Sequence, residues 1–237
     1  SDMHYYGLAN LATKALMSSD AMQQAKKKIA LLGGKLASQT TRDATFYTLT
    51  VPPEIPIINQ AISDWTDGIK QAHITNKTLT LAKKELTVKL QHARSSLKAN
   101  IHDIMYQELF KKNPYGHPIL GYPKDLKQLT VKQVNLFLQR YYRRFNAFFI
   151  VSAPKRNHNI TEKEAFEWSK MLSLTLLPGA LAEEKAFPTF IPTKQFIHHP
   201  TKPGEPVILM WVATPNTTEQ KTQNTYPALA DWLQSTS

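Results

Sequence analysis

Helix-like and strand-like patterns follow one another along this chain without regular strand–helix–strand spacing, which predicts the α+β class: a mixed, mainly antiparallel sheet packed against helices. Three observations carry the prediction. Residues 76–112 hold Leu79, Ala82, Leu86, Leu90, Leu97, Ile101, Ile104, Met105 and Leu109 with no Pro or Gly before Pro114, which suits one long helix. Residues 35–41 and 44–51 are two short strand-like runs joined only by Arg42-Asp43, which suits an antiparallel hairpin. The hairpin follows a helical region that stops at Gly33-Gly34.

Taken in order, residues 5–32 place apolar side chains at Leu8, Leu11, Ala15 and Leu16, then at Ala25, Ile29 and Leu32. The spacing predicts two helices, with Ser19-Asp20 capping the second. Gly33-Gly34 permits the reversal into a strand at positive φ. Residues 44–51 alternate Phe46, Thr48 and Thr50 against Tyr47, Leu49 and Val51, until Pro52-Pro53 ends the strand and opens a helix through Ile57, Ile58, Ala61, Ile62 and Trp65. An irregular segment at 113–122 precedes a helix at 130–142, and the apolar run 147–153 reads as a short buried strand. A helix over 161–172 opens on a cap-like Thr161 and Glu162. Prolines 178, 188, 192, 200, 203 and 206 mark 178–206 as a linker or extended crossover, followed by a strand at 207–213 and the start of a helix at 225–233.

The 237 residues are 42% apolar and 20% charged, enough for a substantial core, and no apolar run approaches the length of a membrane span. With no cysteine, disulfides and thiolate metal sites are excluded and the redox compartment is open. Ser1-Asp2-Met3 resembles a cloning remnant or an internal start, so a targeting segment is not legible. The net charge of +11 admits an anionic partner such as nucleic acid. Its scattered pairs, including Lys83-Lys84, Lys111-Lys112 and Arg143-Arg144, fit a lysine-rich solvated surface better. No Gly-x-Ser-x-Gly, P-loop or dinucleotide fingerprint is present.

Chemistry is signalled by missing side chains. Residues 7–16 read Gly-Leu-Ala-Asn-Leu-Ala-Thr-Lys-Ala-Leu. The stretch resembles the zinc-binding helix of the insulinase/pitrilysin metallopeptidases, where Gly-Leu-Ala is followed by His-x-x-Glu-His. There two His hold zinc and the Glu activates a water. The matching positions are Asn10, Thr13 and Lys14, which offer neither an imidazole nor a base. Two further stretches are similar to the same family, in the same order: 32–47, with its Gly-Gly turn and Arg42-Asp43, and 113–121 (Asn-Pro-Tyr-Gly-His-Pro-Ile-Leu-Gly), continuing through Arg140-Tyr141-Tyr142 to Asn146-Ala147.

The resemblance implies one metallopeptidase-like domain of the LuxS/processing-peptidase kind over 1–177, lacking its first strands. A Pro-rich linker at 178–206 and the beginning of a second homologous domain at 207–237 would follow. It also implies a third zinc ligand, a Glu on the long helix roughly seventy-odd residues after the second His. Counting from Lys14 reaches 90–92, which has no carboxylate; Glu85 is nearest and is expected one helical face away. His92 alone makes no site, His92 and His102 are far apart along one helix, and the adjacent His198-His199 pair cannot easily face one ion.

The expectation is therefore a catalytically degenerate subunit with no catalytic, cofactor or metal residues of its own. It would pair with a zinc-bearing homologous subunit or second half, which supplies the zinc, and help enclose peptide, with the edge of strand 44–51 open to strand addition. Alternatives are a structural or assembly protein of the same fold, an anion- or nucleic-acid-binding module, and an active peptidase with a relocated metal. The periplasm or cell envelope is implied by family habit alone.

Overall fold

The computed structural model describes residues 5–95, 97–110, 114–153 and 160–179. The linker expected at 178–206, apart from Pro178 and Gly179, and the second domain expected at 207–237 lie outside the described residues. Helices α1 (Leu8–Met17) and α2 (Asp20–Leu31) lead into strands β1 (Lys35–Thr40) and β2 (Thr45–Thr50). Helices α3 (Ile55–Lys70), α4 (Asn76–Ser95), α5 (Leu97–Leu109), α6 (Pro123–Gln128), α7 (Val131–Tyr141) and α8 (Glu162–Ser173) follow. A 3₁₀ turn, Pro114–Gly116, lies between α5 and α6. The class is α+β: the described strands form one antiparallel pair, in register from Lys35 opposite Thr50 to Thr40 opposite Thr45.

Local chemistry accounts for most boundaries. Ser19 caps α2 by accepting from the Met22 amide at 3.3 Å, relieving one of the amides that a helix start leaves unpaired. Gly33 takes φ 75°, and a Cβ on Gly34 would come within 2.7 Å of Val51 and 2.9 Å of Ile29, so the helix-to-strand reversal needs both glycines. Thr130 and Gln133 form a reciprocal capping box at α7, and the Glu164 carboxylate accepts from the Thr161 amide at 3.0 Å at α8.

Three apolar clusters bind these elements. The largest joins Leu8, Leu11, Ala12 and Ala15 of α1 to Leu79, Ala82, Leu86 and Leu90 of α4, closed by Leu126, Leu129 and Val134. A second sets Met22 and Ile29 of α2 against Leu36 and Ala61. In the third, Trp168 of α8 packs on Ile58 and Ile62 of α3 and donates its indole N–H to Asn59 Oδ1 at 2.7 Å. No helix among the described residues is long and apolar enough to cross a membrane.

Two expectations need correction. Residues 147–153 are neither a strand nor buried: Phe148 is 95% exposed and Ile150 87%. An apolar extended run reads as a buried strand only if a neighbouring strand pairs with it, and none does among the described residues. The six-residue α6 was not foreseen; Pro123 starts it, and one and a half turns are too short to display a period.

Candidate functional site

Helix α1 crosses α4 and the hairpin, and the three motif positions fall on this crossing. Asn10 and Lys14 are four residues apart and so share one helical face, with Thr13 beside them. Asn10 is buried, Thr13 is 1% exposed, and the Lys14 side chain is 19% exposed.

Lys14 reaches across to α4, where its Nζ lies 2.7 Å from Glu85 Oε1. Glu85, expected one helical face from the ligand position, is nonetheless reached by the lysine side chain. Leu79, Ala82, Leu86 and Leu90 form the stripe of α4 that faces α1, and Glu85 borders that stripe, within reach of a lysine side chain. Glu85 follows Lys14 by 71 residues (85 − 14), short of the expected positions 90–92, where Leu90 belongs to the core and His92 to the exposed side. Lys89 adds a second ammonium 3.6 Å from Glu85 Oε1. Burial pulls the Glu85 carboxyl upward, but the hydrogen bond and charge of Lys14, helped by Lys89, outweigh it and hold the group below its ordinary value.

Thr13 anchors a chain of hydroxyls. Its Oγ1 donates to the Ala9 carbonyl at 2.8 Å, which uses its only proton. It must then accept from Thr40 Oγ1 and from the Tyr142 hydroxyl, each at 3.3 Å. Tyr142 in turn accepts from the Tyr47 hydroxyl at 2.7 Å, giving one proton order, Tyr47 to Tyr142 to Thr13 to Ala9. Burial first, and then the neighbouring Tyr142, pushes the Tyr47 phenol well above its ordinary value, and burial raises Tyr142 too. At neutral pH the cluster is uncharged, so it supplies no general base.

These residues do not fit a zinc ion. An amide, a proton-donating hydroxyl and an ammonium stand at the three motif positions, and only Glu85 has the functional group of a ligand. Among the described residues, no group of three or more His, Asp or Glu converges in a way that could hold a metal.

A depression of about 310 Å³ opens beside the pair, lined by Lys14, Glu85, Gln23 and Lys26 and by Leu36 to Ser38 of β1. The hairpin turn is latched on the far side. Arg42 meets Asp103 Oδ1 at 2.7 Å, donates to the Tyr115 carbonyl at 3.2 Å and lies 3.7 Å over the Tyr106 ring. The Tyr115 hydroxyl donates to Asp43, whose acceptance, with burial, pushes that phenol to about 12. Arg42-Asp43 therefore does more than close a turn: it ties β1 and β2 to α5 and the 3₁₀ turn.

The insulinase family (peptidase family M16) matches residues 2–123, just over half of the sequence, and the chain belongs to this family. A Rickettsia bellii (strain RML369-C) protein described as an uncharacterized zinc protease is 23% identical over 158 residues, 67% of this chain and 37% of the relative. A Rickettsia felis (strain ATCC VR-1525 / URRWXCal2) protein of the same description is 23% identical over 145 residues, 61% of this chain and 34% of its own. The chain thus spans about a third of the length of these relatives.

Among solved structures, a peptidase M16 inactive domain from Pseudomonas fluorescens superposes with TM-score 0.67 at 15% identity, over 79% of this chain and 45% of that one. A protease from Helicobacter pylori gives 0.58 at 14% identity, over 80% and 44%. A chain of complex III2 from Candida albicans gives 0.52 at 15% identity, over 77% and 40%. At such identities the likeness is one of fold. The fold is therefore peptidase-like, and relatives and neighbours include both proteins described as proteases and a domain described as inactive.

Proposed function

We propose that this chain is a non-catalytic, peptidase-like subunit that pairs with a zinc-bearing homologue, as a separate chain or a second half, and supplies part of the wall of a peptide-enclosing chamber. The observation that carries the reading is that the motif positions have other partners: Lys14 holds Glu85 at 2.7 Å, and the Thr13 hydroxyl is fixed between Ala9 and Tyr142. In this reading zinc and the activated water belong to the partner, and the cell envelope is the compartment. Peptide meets an open sheet edge by strand addition, for which main-chain hydrogen bonds suffice. The sequence pointed to β2 for this role; β1 is the better placed, because Leu36 to Ser38 line the depression beside Lys14 and Glu85.

The test is reconstitution. Mixed with a zinc-bearing homologue from the same cell, the chain should co-elute as a complex whose cleavage of an unstructured peptide exceeds that of the homologue alone. Absence of any complex would refute the pairing. A structural or assembly role is the second reading, supported by the fold shared with a chain of complex III2 from Candida albicans. A stable complex with no gain in cleavage would favour that role.

A further inference from the structure

Strand β1 has no partner on its outer edge among the described residues, and the depression of about 310 Å³ beside it is rich in positive charge. Lys14 of α1 and Lys26 of α2 line it, and Glu85 is the one carboxylate on its wall among the described residues. That carboxylate is already taken, by Lys14 Nζ at 2.7 Å and Lys89 Nζ at 3.6 Å. Lys26 has no ion-pair partner among the described residues. We propose that this depression is a subsite for an acidic residue of the bound peptide, an aspartate or glutamate whose side-chain carboxylate meets the Lys26 ammonium beside that of Lys14. The proposal rests on the reading of the chain as part of a peptide-enclosing wall, and it gives that wall a substrate class, acidic segments.

The run Lys26-Lys27-Lys28 divides by helical face. Lys28 pairs with Asp64 Oδ1 at 3.3 Å, and Lys27 is exposed. Lys26 lies one helical turn from both Met22 and Ile29, which are fully buried, so its stem runs along the apolar stripe of α2 and carries the ammonium to the rim of the depression. The side chain is half-buried there, and an ammonium partly removed from water gains from a counter-charge, which none of the described residues supplies. On the opposite wall, Lys14 and Lys89 share one carboxylate oxygen. Burial first, and then the neighbouring Lys14, lowers the Lys89 ammonium below its ordinary value against the opposing pull of Glu85, a sign of excess positive charge. An incoming carboxylate answers both needs, whereas an incoming lysine or arginine is repelled. The strand supplies the geometry. A peptide paired along Leu36 to Ser38 alternates its side chains between two faces and so presents every second one to the depression. The hydroxyls of Ser18 and Ser38 on the same wall can donate to the carboxylate.

The experiment uses the full chain and short extended peptides, acetylated and amidated at their ends and identical except for a central Glu, Gln or Lys. Binding is followed by the fluorescence anisotropy of an uncharged dye. The Glu peptide should bind about fivefold tighter than the Gln peptide and the Lys peptide weaker still, with the differences shrinking as salt is raised. Lys26→Gln, checked for an unchanged unfolding midpoint, should bring the Glu and Gln peptides within about twofold of each other, and Lys26→Arg should keep the preference. Binding that ignores the central charge overturns the inference and leaves the peptide-enclosing reading standing. A Glu preference that survives Lys26→Gln overturns the assignment to this depression. Binding confined to a further set with free C-termini overturns the side-chain assignment. No binding of any peptide, by the chain alone or mixed with its zinc-bearing homologue, overturns both the inference and the peptide-enclosing reading.

Discussion

Replacing Tyr142 by Phe tests whether the hydroxyl chain below α1 acts as one unit. The substitution removes one oxygen and leaves the ring contacts of Tyr142 with Tyr47 in place. It deletes the bond to Thr13 at 3.3 Å and, more consequentially, strips the Tyr47 O–H of its acceptor at 2.7 Å. Tyr47 points this hydroxyl into a desolvated pocket, so its loss of a partner costs about 1–3 kcal/mol. Tyr47→Phe alone is milder, about 0.5–1.5 kcal/mol, because Tyr142 can still donate to Thr13. Once Tyr142 is Phe, removing the Tyr47 hydroxyl also removes the orphan, so the double variant should fall short of the sum of the singles by about 1 kcal/mol. Urea unfolding of the four proteins measures this. In heat, a domain of this size should lose about 2–4 °C of midpoint per kcal/mol. Additivity within about 0.3 kcal/mol would refute the coupled chain.

Further outcomes follow from other contacts. Trp168→Ala empties the buried seat of α8 on Ile58 and Ile62 and should destabilise by about 3–5 kcal/mol in urea unfolding, with hydrogen exchange in α8 rising first. Arg42→Ala should cost about 1.5–3 kcal/mol and open the 3₁₀ turn Pro114–Gly116 to exchange. Arg42→Lys should recover little of this, since an ammonium lacks the planar fork that lies on Tyr106 while bonding both Asp103 and Tyr115. The phenols of Tyr47 and Tyr142 are raised in the folded state, so the unfolded chain loses these protons first as pH rises. Stability should be flat in this respect below about pH 10 and decline above it, and Tyr47→Phe/Tyr142→Phe should flatten the decline. Glu85 has the opposite sign: its folded value is lowered, so its contribution is present above about pH 4.3 and is lost as pH falls further, a step that Glu85→Gln removes.

What was legible in the sequence was local. The apolar spacing of Leu8, Leu11 and Ala15, the Ser19 cap, the Gly33-Gly34 reversal and the alternation at Phe46 to Val51 each follow from neighbouring residues, and each forms as expected. The stretches 7–16, 32–47 and 113–121, which are of the same local kind, all lie within the residues that the family matches, 2–123. Contacts that join distant residues were not legible. Nothing near Thr13 announces Tyr142, 129 residues on, and Arg42-Asp43 read as turn chemistry when its partners lie 61 to 73 residues away. The Lys14–Glu85 contact was not legible either, because an ideal helical wheel does not show how far a lysine stem bends to meet a carboxylate at the border of an apolar stripe. The run 147–153 failed for the complementary reason: apolar composition states what a segment could bury, not whether a partner is present.

The most direct test of the account is zinc on the wild-type chain itself. After dialysis against zinc and desalting, elemental analysis is run beside cleavage of an unstructured peptide with and without chelator. The account predicts no stoichiometric zinc and no chelator-sensitive cleavage, because Lys14 and Thr13 hold other partners at the motif positions. One tightly bound zinc per chain with cleavage abolished by chelator would contradict it.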